Sequence, residues 1–194
     1  MEDDQGVCRT HAFAQALFLL LSLVLSDLSH PEAKPLDFVC VSEARKVMNK
    51  VKNLQDDLAQ CSAAAFLPAP VRTPSIRINM IIWKSKPIAE RRAEILQSLR
   101  MLAQDIHNAR VRSQAECALR LLELLEHNIY NYIHTLTQLH TQSGSDVPNI
   151  LDPPVQIVSQ DLGRVLQNYD RLISRKLEWL VSEMAKDCEN KAAT

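Results

Sequence analysis

The chain has 194 residues, 46% hydrophobic and 23% charged, the balance of an ordinary one-domain globular protein and not of a disordered or fibrous one. Three glycines (Gly6, Gly144, Gly163) against nine prolines leave no material for glycine-rich phosphate loops or collagen-like repeats, which speaks against a nucleotide enzyme. With 22 basic and 23 acidic residues the formal net charge is −1, so there is no overall basic field to hold a polyanion, and nucleic acid is not the expected partner.

The first element in chain order is an apolar run from Ala12 to Leu25, AFAQALFLLLSLVL. It is shorter than the roughly 20 residues of a membrane span and fits the apolar region of a secretory signal peptide, so no stable membrane insertion is expected. Val24 and Ser26 are small enough for positions −3 and −1 of a cleavage site, and prolines follow at 31 and 35. Residues 1–26 are therefore read as a signal peptide and 27–194 as a secreted, extracellular domain. The start is atypical, with Glu2, Asp3 and Asp4 ahead of the cation Arg9. Cleavage would remove Cys8 and leave Cys40, Cys61, Cys117 and Cys188, an even set in an oxidising compartment, hence two disulfides. Four cysteines allow three pairings. No Cys-x-x-Cys is present, which argues against zinc and redox roles, and no Asn-x-Ser/Thr sequon occurs.

Four amphipathic helices follow. The first is predicted over about 41–60, with Ser42 as N-cap and Ala44, Val47, Val51, Leu54 and Leu58 on one face. Pro68, Pro70, Pro74 and Pro87 then break helical continuity over a connection of about 26 residues, long for a compact domain. The second helix, about 88–110, turns Ile95, Leu99, Leu102 and Ile106 inward. After a few residues the third, about 114–140, carries Ala118, Leu121, Leu125, Ile129, Tyr132, Leu136 and Leu139 at spacings of three or four. A second long connection contains Ser143, Gly144, Ser145, Pro148, Pro153 and Pro154. The fourth helix, about 158–186, presents Leu162, Val165, Leu166, Tyr169, Leu172, Ile173, Leu177, Leu180 and Met184.

Such helices bury their stripes together in a bundle, and connection length selects the topology. A short link forces antiparallel neighbours, whereas a long one crosses the bundle. Long, short, long gives an all-α, up-up-down-down four-helix bundle with two long crossover loops, the arrangement of cytokines. This topology brings Cys40 and Cys188 to one end and Cys61 and Cys117 to the other. Neither other pairing brings both pairs within the ~6 Å Cα separation of a disulfide.

The chain from Cys40 to Cys188 resembles the erythropoietin and thrombopoietin family of secreted hormones. The resemblance rests on the cysteines at both ends of the first helix, Trp83-Lys84 closing the first crossover, and the cysteine ending the last helix. Cys117 at the start of the third helix resembles the thrombopoietin branch. Ile173-Ser174-Arg175-Lys176-Leu177 is similar to the family's basic Arg-Gly-Lys receptor motif, with Ser174 and Arg175 in place of its Arg and Gly. No long Ser/Thr/Pro-rich tail follows, which fits a fish or other non-mammalian relative. The resemblance implies a cytokine that binds and dimerises a single-pass, thrombopoietin-receptor-like type I cytokine receptor, acting on the thrombocyte lineage as a monomeric ligand.

Catalysis is not expected, since no HExxH, EF-hand, GxSxG or nucleotide fingerprint is present. His107, His127, His134 and His140 include no i,i+4 pair to align two imidazoles, so no metal or other cofactor is predicted. The candidate receptor surface lies on the fourth helix. Arg164, Asn168, Arg171 and Arg175 fall within about 60° of one another and about 140° from the apolar stripe. Lys84 and Lys86 on the crossover extend this band, and Lys176 joins it through the motif. Arg45, Lys46 and Lys50 on the first helix form a second, weaker basic set. The competing reading is a secreted helical-bundle carrier or lipid-surface protein whose helices open to show their apolar stripes. Two disulfides tying both ends argue against opening.

Overall fold

The computed structural model describes residues 35–75, 79–139, 155–186 and 188. The predicted signal segment 1–26, residue His140 and most of the second long connection lie outside them. What the sequence pattern joins as one first helix is three pieces: α1 (Pro35–Cys40), α2 (Ser42–Met48) and α3 (Val51–Ala59). Asn49 sets the second break. Its backbone is extended, and its side-chain oxygen accepts the Val51 amide at 3.1 Å, a local bond that competes with the helical ladder. The Met48 carbonyl accepts instead from the Asn128 amide at 2.9 Å, and the Tyr169 hydroxyl donates to the Asn128 oxygen at 2.8 Å. The break also corrects the predicted stripe: Val51 and Leu54 are buried, but Val47 is 68% exposed. Ser42 is not the cap; Val41 occupies that position and makes no side-chain cap bond.

After a 3₁₀ turn at Ser62–Ala64 the crossover forms a strand, β1 (Phe66–Pro74), that the sequence reading did not foresee. It pairs antiparallel with β2 (Gln156–Asp161) in the second crossover, Val71 opposite Ser159 and Thr73 opposite Ile157. Leu67, Ala69, Val71 and Thr73 point inward; Pro68, Pro70 and Arg72 point outward. Pro68 and Pro70 lie between Phe66 and Val71, where the register is interrupted, so neither removes a ladder bond. Arg72 fastens the sheet to the second long helix through two 2.8 Å bonds to the buried Asp105 carboxylate.

The short helix α4 (Met80–Ser85) closes the crossover, with the Asn79 side chain accepting the Ile81 and Ile82 amides. Helix α5 (Ile88–Arg112) follows Pro87, and α6 (Glu116–Gln138) follows a short turn. The last helix begins at Leu162, not at Val158, because Ile157 and Val158 belong to β2 and Asp161 caps the helix by accepting the Arg164 amide at 3.2 Å. It comprises α7 (Leu162–Arg171), a wider π turn (Leu172–Leu177) and α8 (Glu178–Met184).

Ile95, Leu99, Leu102 and Ile106 of α5 meet Leu125, Ile129 and Leu136 of α6 and Val165, Leu166 and Leu180 of the last helix, all at 0% exposure. At about 1.5–3 kcal/mol for each fully buried aliphatic side chain, this shared core dominates the folding energy. Cys40 bonds Cys188 and Cys61 bonds Cys117, with Cα separations of 5.9 and 6.0 Å. The first helical segment therefore runs antiparallel to both α6 and the last helix, the up-up-down-down order.

Candidate receptor-binding face

The last helix displays an outward ridge because its inward positions are fully committed to the core. Leu172, Ile173, Lys176 and Leu177 are buried within the π turn, while Arg171, Ser174 and Arg175 remain exposed. Ser174 donates its hydroxyl to the Asp170 carbonyl at 2.7 Å, giving that carbonyl a side-chain partner at the entry to the wider turn. Continuing Arg171 and Arg175 by four residues reaches Trp179, which is 39% exposed although large aromatic residues are usually buried. Arg171 and Arg175 are engaged in no ion pair among the described residues. Arg164, further along, has a side chain 77% exposed and lies 3.7 Å from Asp161.

A cleft flanks the ridge on each side. One, of about 240 Å³, lies between the helix end and the crossover and is lined by Trp83, Lys84, Trp179 and Lys186 among others. Ile81 and Ile82 of α4 are exposed at 83% and 57%. The other, toward α1 and α2, is lined by Phe38, Arg45, Asn49 and Tyr132 on one side and by Ile173, Leu177 and Glu178 on the other.

The predicted basic residues divide into two groups. Lys84, Arg164, Arg171 and Arg175 are exposed. Lys176 is not: at 4% exposure it pairs with Glu94 and places its ammonium 4.5 Å from the centre of the Trp83 ring. Its position three and four residues after Ile173 and Leu172 sets it on the buried face. Lys86 is half-buried between Glu90 and Glu94, at 3.1 and 3.0 Å. Burial pushes the Glu94 carboxyl up, but hydrogen bonds from Lys176 and Lys86, together with their charges, outweigh it and hold Glu94 below the ordinary carboxylate range. Asn168 is also withdrawn from the band, since it is 8% exposed and donates to Thr73 at 2.9 Å.

On the first helical segment, Arg45 grips Glu178 with two nitrogens, at 3.0 and 2.8 Å, and donates to the Phe38 and Val39 carbonyls. It is a strut between α2 and α8 and not a free contact. Lys46, paired with Glu43 at 2.7 Å, and Lys50 are exposed. The sequence reading missed Trp179, Ile81 and Ile82; the visible signal was a tryptophan standing off the Leu177–Leu180 stripe and an Ile-Ile pair within the crossover. Tryptophan and arginine side by side make the composition of an interface centre.

Among the described residues no group of three His, Cys, Asp or Glu is placed to hold a metal, and no helix is long and apolar enough to cross a membrane. The family model described as Erythropoietin/thrombopoietin matches residues 38–191. A search of curated proteins finds no match.

Proposed function

Since the chain belongs to the erythropoietin/thrombopoietin family, whose members are cytokine hormones and not enzymes, we propose that it is a secreted, thrombopoietin-like hormone that joins two copies of one single-pass type I cytokine receptor. The observation that carries this reading is the ridge Arg171, Arg175 and Trp179, two exposed guanidinium groups without an ion pair among the described residues and an aromatic ring, on a helix whose opposite face is buried. Arginine forms bidentate pairs with carboxylates and loses little entropy per bond, which suits a high-affinity contact. Lys84 and the exposed Ile81 and Ile82 border this face. A second, weaker face would use Lys46 on α2 and Lys50 at the start of α3. Signalling then needs only proximity of two receptor chains, with no chemistry performed by the ligand.

The apolar run 12–25 and the small residues Val24 and Ser26 support secretion with cleavage near Ser26. N-terminal sequencing of protein recovered from culture medium tests this: a start near Asp27 is expected, and a cell-retained product that keeps the run would contradict it. Function is tested by capture on a panel of immobilised cytokine-receptor ectodomains, followed by light scattering of the captured complex. Two receptors per ligand are expected, with the thrombopoietin-type receptor preferred. A panel without binding, or a complex with one receptor at saturation, would overturn the proposal.

A further inference from the structure

We propose that β2 is the edge along which a second copy of this chain pairs, strand against strand, in a weak antiparallel dimer. In an antiparallel ladder, residues that exchange both backbone bonds with the neighbouring strand alternate with residues whose N–H and C=O point away from it. The Ser75 amide donates to the Val155 carbonyl at 2.6 Å, and in the same register Thr73 faces Ile157 and Val71 faces Ser159. Val155, Ile157 and Ser159 therefore turn their backbone groups toward β1, and Gln156 and Val158 turn theirs outward. Arg72 shows the same alternation from the other strand: it lies opposite Val158 and sends its N–H away from β2, to the Asp105 carboxylate at 2.8 Å.

The two edges of this sheet are finished differently. On β1 the outward amide of Arg72 is taken by Asp105 of α5, and the next outward position, Pro74, has no N–H to offer. On β2 the outward N–H and C=O of Gln156 and Val158 have no partner among the described residues. Val155, Ile157 and Val158 are exposed at 77%, 44% and 62%. Natural edge strands are commonly blunted by lysine or proline, and Val155–Gln160 contains neither.

Symmetry and charge select the occupant. A two-fold axis through Ile157 sets Gln156 opposite Val158 of the second copy, and Val158 opposite its Gln156, so every outward N–H meets an outward C=O. Ile157 then faces its own copy in the close, non-bonded arrangement, with Val155 opposite Ser159 on the same face. An axis through Val158 would instead need outward groups from Gln160, where the register has shifted. Like meets like without repulsion, because Val155–Gln160 is uncharged and the bordering cations Arg72 and Arg164 are already paired with Asp105 and Asp161. With about six residues a side, against the 20–30 of a standard interface, the dimer forms only at high concentration and the dilute chain is a monomer. The pairing uses neither Arg171, Arg175 nor Trp179, so it stands or falls separately from the receptor reading.

The test is sedimentation equilibrium of the secreted, disulfide-bonded protein from about 10 μM to about 1 mM. The apparent mass should rise toward twice the monomer, and the Gln156 and Val158 amides should gain protection from hydrogen exchange as the protein is concentrated. Ile157→Lys, which sets two cations opposite each other across the axis, should melt like the parent and stay monomeric. Val158→Pro, which removes an outward N–H and no bond to β1, should do the same. The register is read by oxidative cross-linking. Ile157→Cys should form a disulfide-linked dimer at least tenfold faster than Val155→Cys, since residue 157 lies about 4.5 Å from its own copy and residue 155 about 13 Å from its own. A parent that stays monomeric to about 1 mM, an Ile157→Lys variant that associates like the parent, or equal cross-linking at 155 and 157 would overturn the assignment.

Discussion

The Lys176 ammonium lies 4.5 Å from the centre of the Trp83 ring while pairing with the Glu94 carboxylate beneath it. Arg91, 6.0 Å from the same ring, pairs with Glu183 at 2.7 Å. Crossover, second long helix and last helix are thereby locked through one aromatic ring and two ion pairs. The lock holds α4 beside the ridge that carries Arg171, Arg175 and Trp179. A basic residue that motif resemblance turns toward a receptor is thus an internal support for the proposed receptor face.

Lys176→Met tests that assignment. The substitution keeps most of the side-chain volume but leaves the half-buried Glu94 with Lys86 alone, and breaking a largely desolvated pair is costly, so a stability loss of about 2–3 kcal/mol is expected in urea unfolding. Receptor affinity, measured where both proteins are fully folded, should hardly change. A stable variant that has lost binding would return Lys176 to the interface.

Acid should weaken the same lock. The Arg91 hydrogen bond holds the Glu183 carboxyl below its ordinary value of 4.5, and Lys176 and Lys86 hold Glu94 below it against burial. Groups with depressed folded pKa values contribute stability above the unfolded pKa and lose it as pH falls through the folded value. Stability should therefore be level from neutral pH to about 4.5 as far as these two groups are concerned, and decline below it. Glu94→Gln should flatten part of that decline in urea titrations at several pH values; an unchanged slope would contradict the coupling.

Asn128 ties the break in the first helix to the last helix, donating to Met48 and accepting from Tyr169. Asn128→Ala strands the part-buried Met48 carbonyl and the buried Tyr169 hydroxyl, so a loss of about 2–3 kcal/mol is expected from two unsatisfied groups. Tyr169→Phe removes one bond only and should cost about 1 kcal/mol. Denaturant midpoints in the reverse order would show that the network does not bear on stability.

The long helices were legible because their stripes repeat every three or four residues: Ile95 to Ile106 and Ala118 to Leu139 are buried as their spacing requires. Disulfide pairing followed from the topology that loop lengths select and from the cysteines' places at the helix ends. The break at Asn49 was hidden because it depends on a tertiary partner, Asn128, for the Met48 carbonyl. The β1–β2 pairing joins residues far apart in sequence, although the alternation Leu67, Ala69, Val71, Thr73 between prolines carried a period-2 signal. Lys176 was misplaced because motif likeness outweighed its position on the buried face. Trp179 was passed over because the search for a receptor face followed charge only.

The Cys61–Cys117 bridge closes a separation of 56 residues between the first crossover and α6. Replacing both cysteines by serine should cost about 4 kcal/mol on a chain-entropy estimate. Thermal melting by circular dichroism should show a lower midpoint with unchanged helical content at low temperature. An unaltered midpoint would mean that the bridge does not constrain the unfolded chain.

The central claim is that the ridge on the last helix is the high-affinity receptor face, and Arg171→Glu combined with Arg175→Glu tests it most directly. Both side chains are exposed, so folding should change by no more than about 0.5 kcal/mol for each. Charge reversal at a desolvated contact costs several kcal/mol, at about 1.4 per tenfold in affinity, so surface plasmon resonance on the captured receptor should record at least a hundredfold loss. Arg120→Glu, on the exposed side of α6, should bind like the parent. A double variant that melts like the parent and also binds like it would contradict the account.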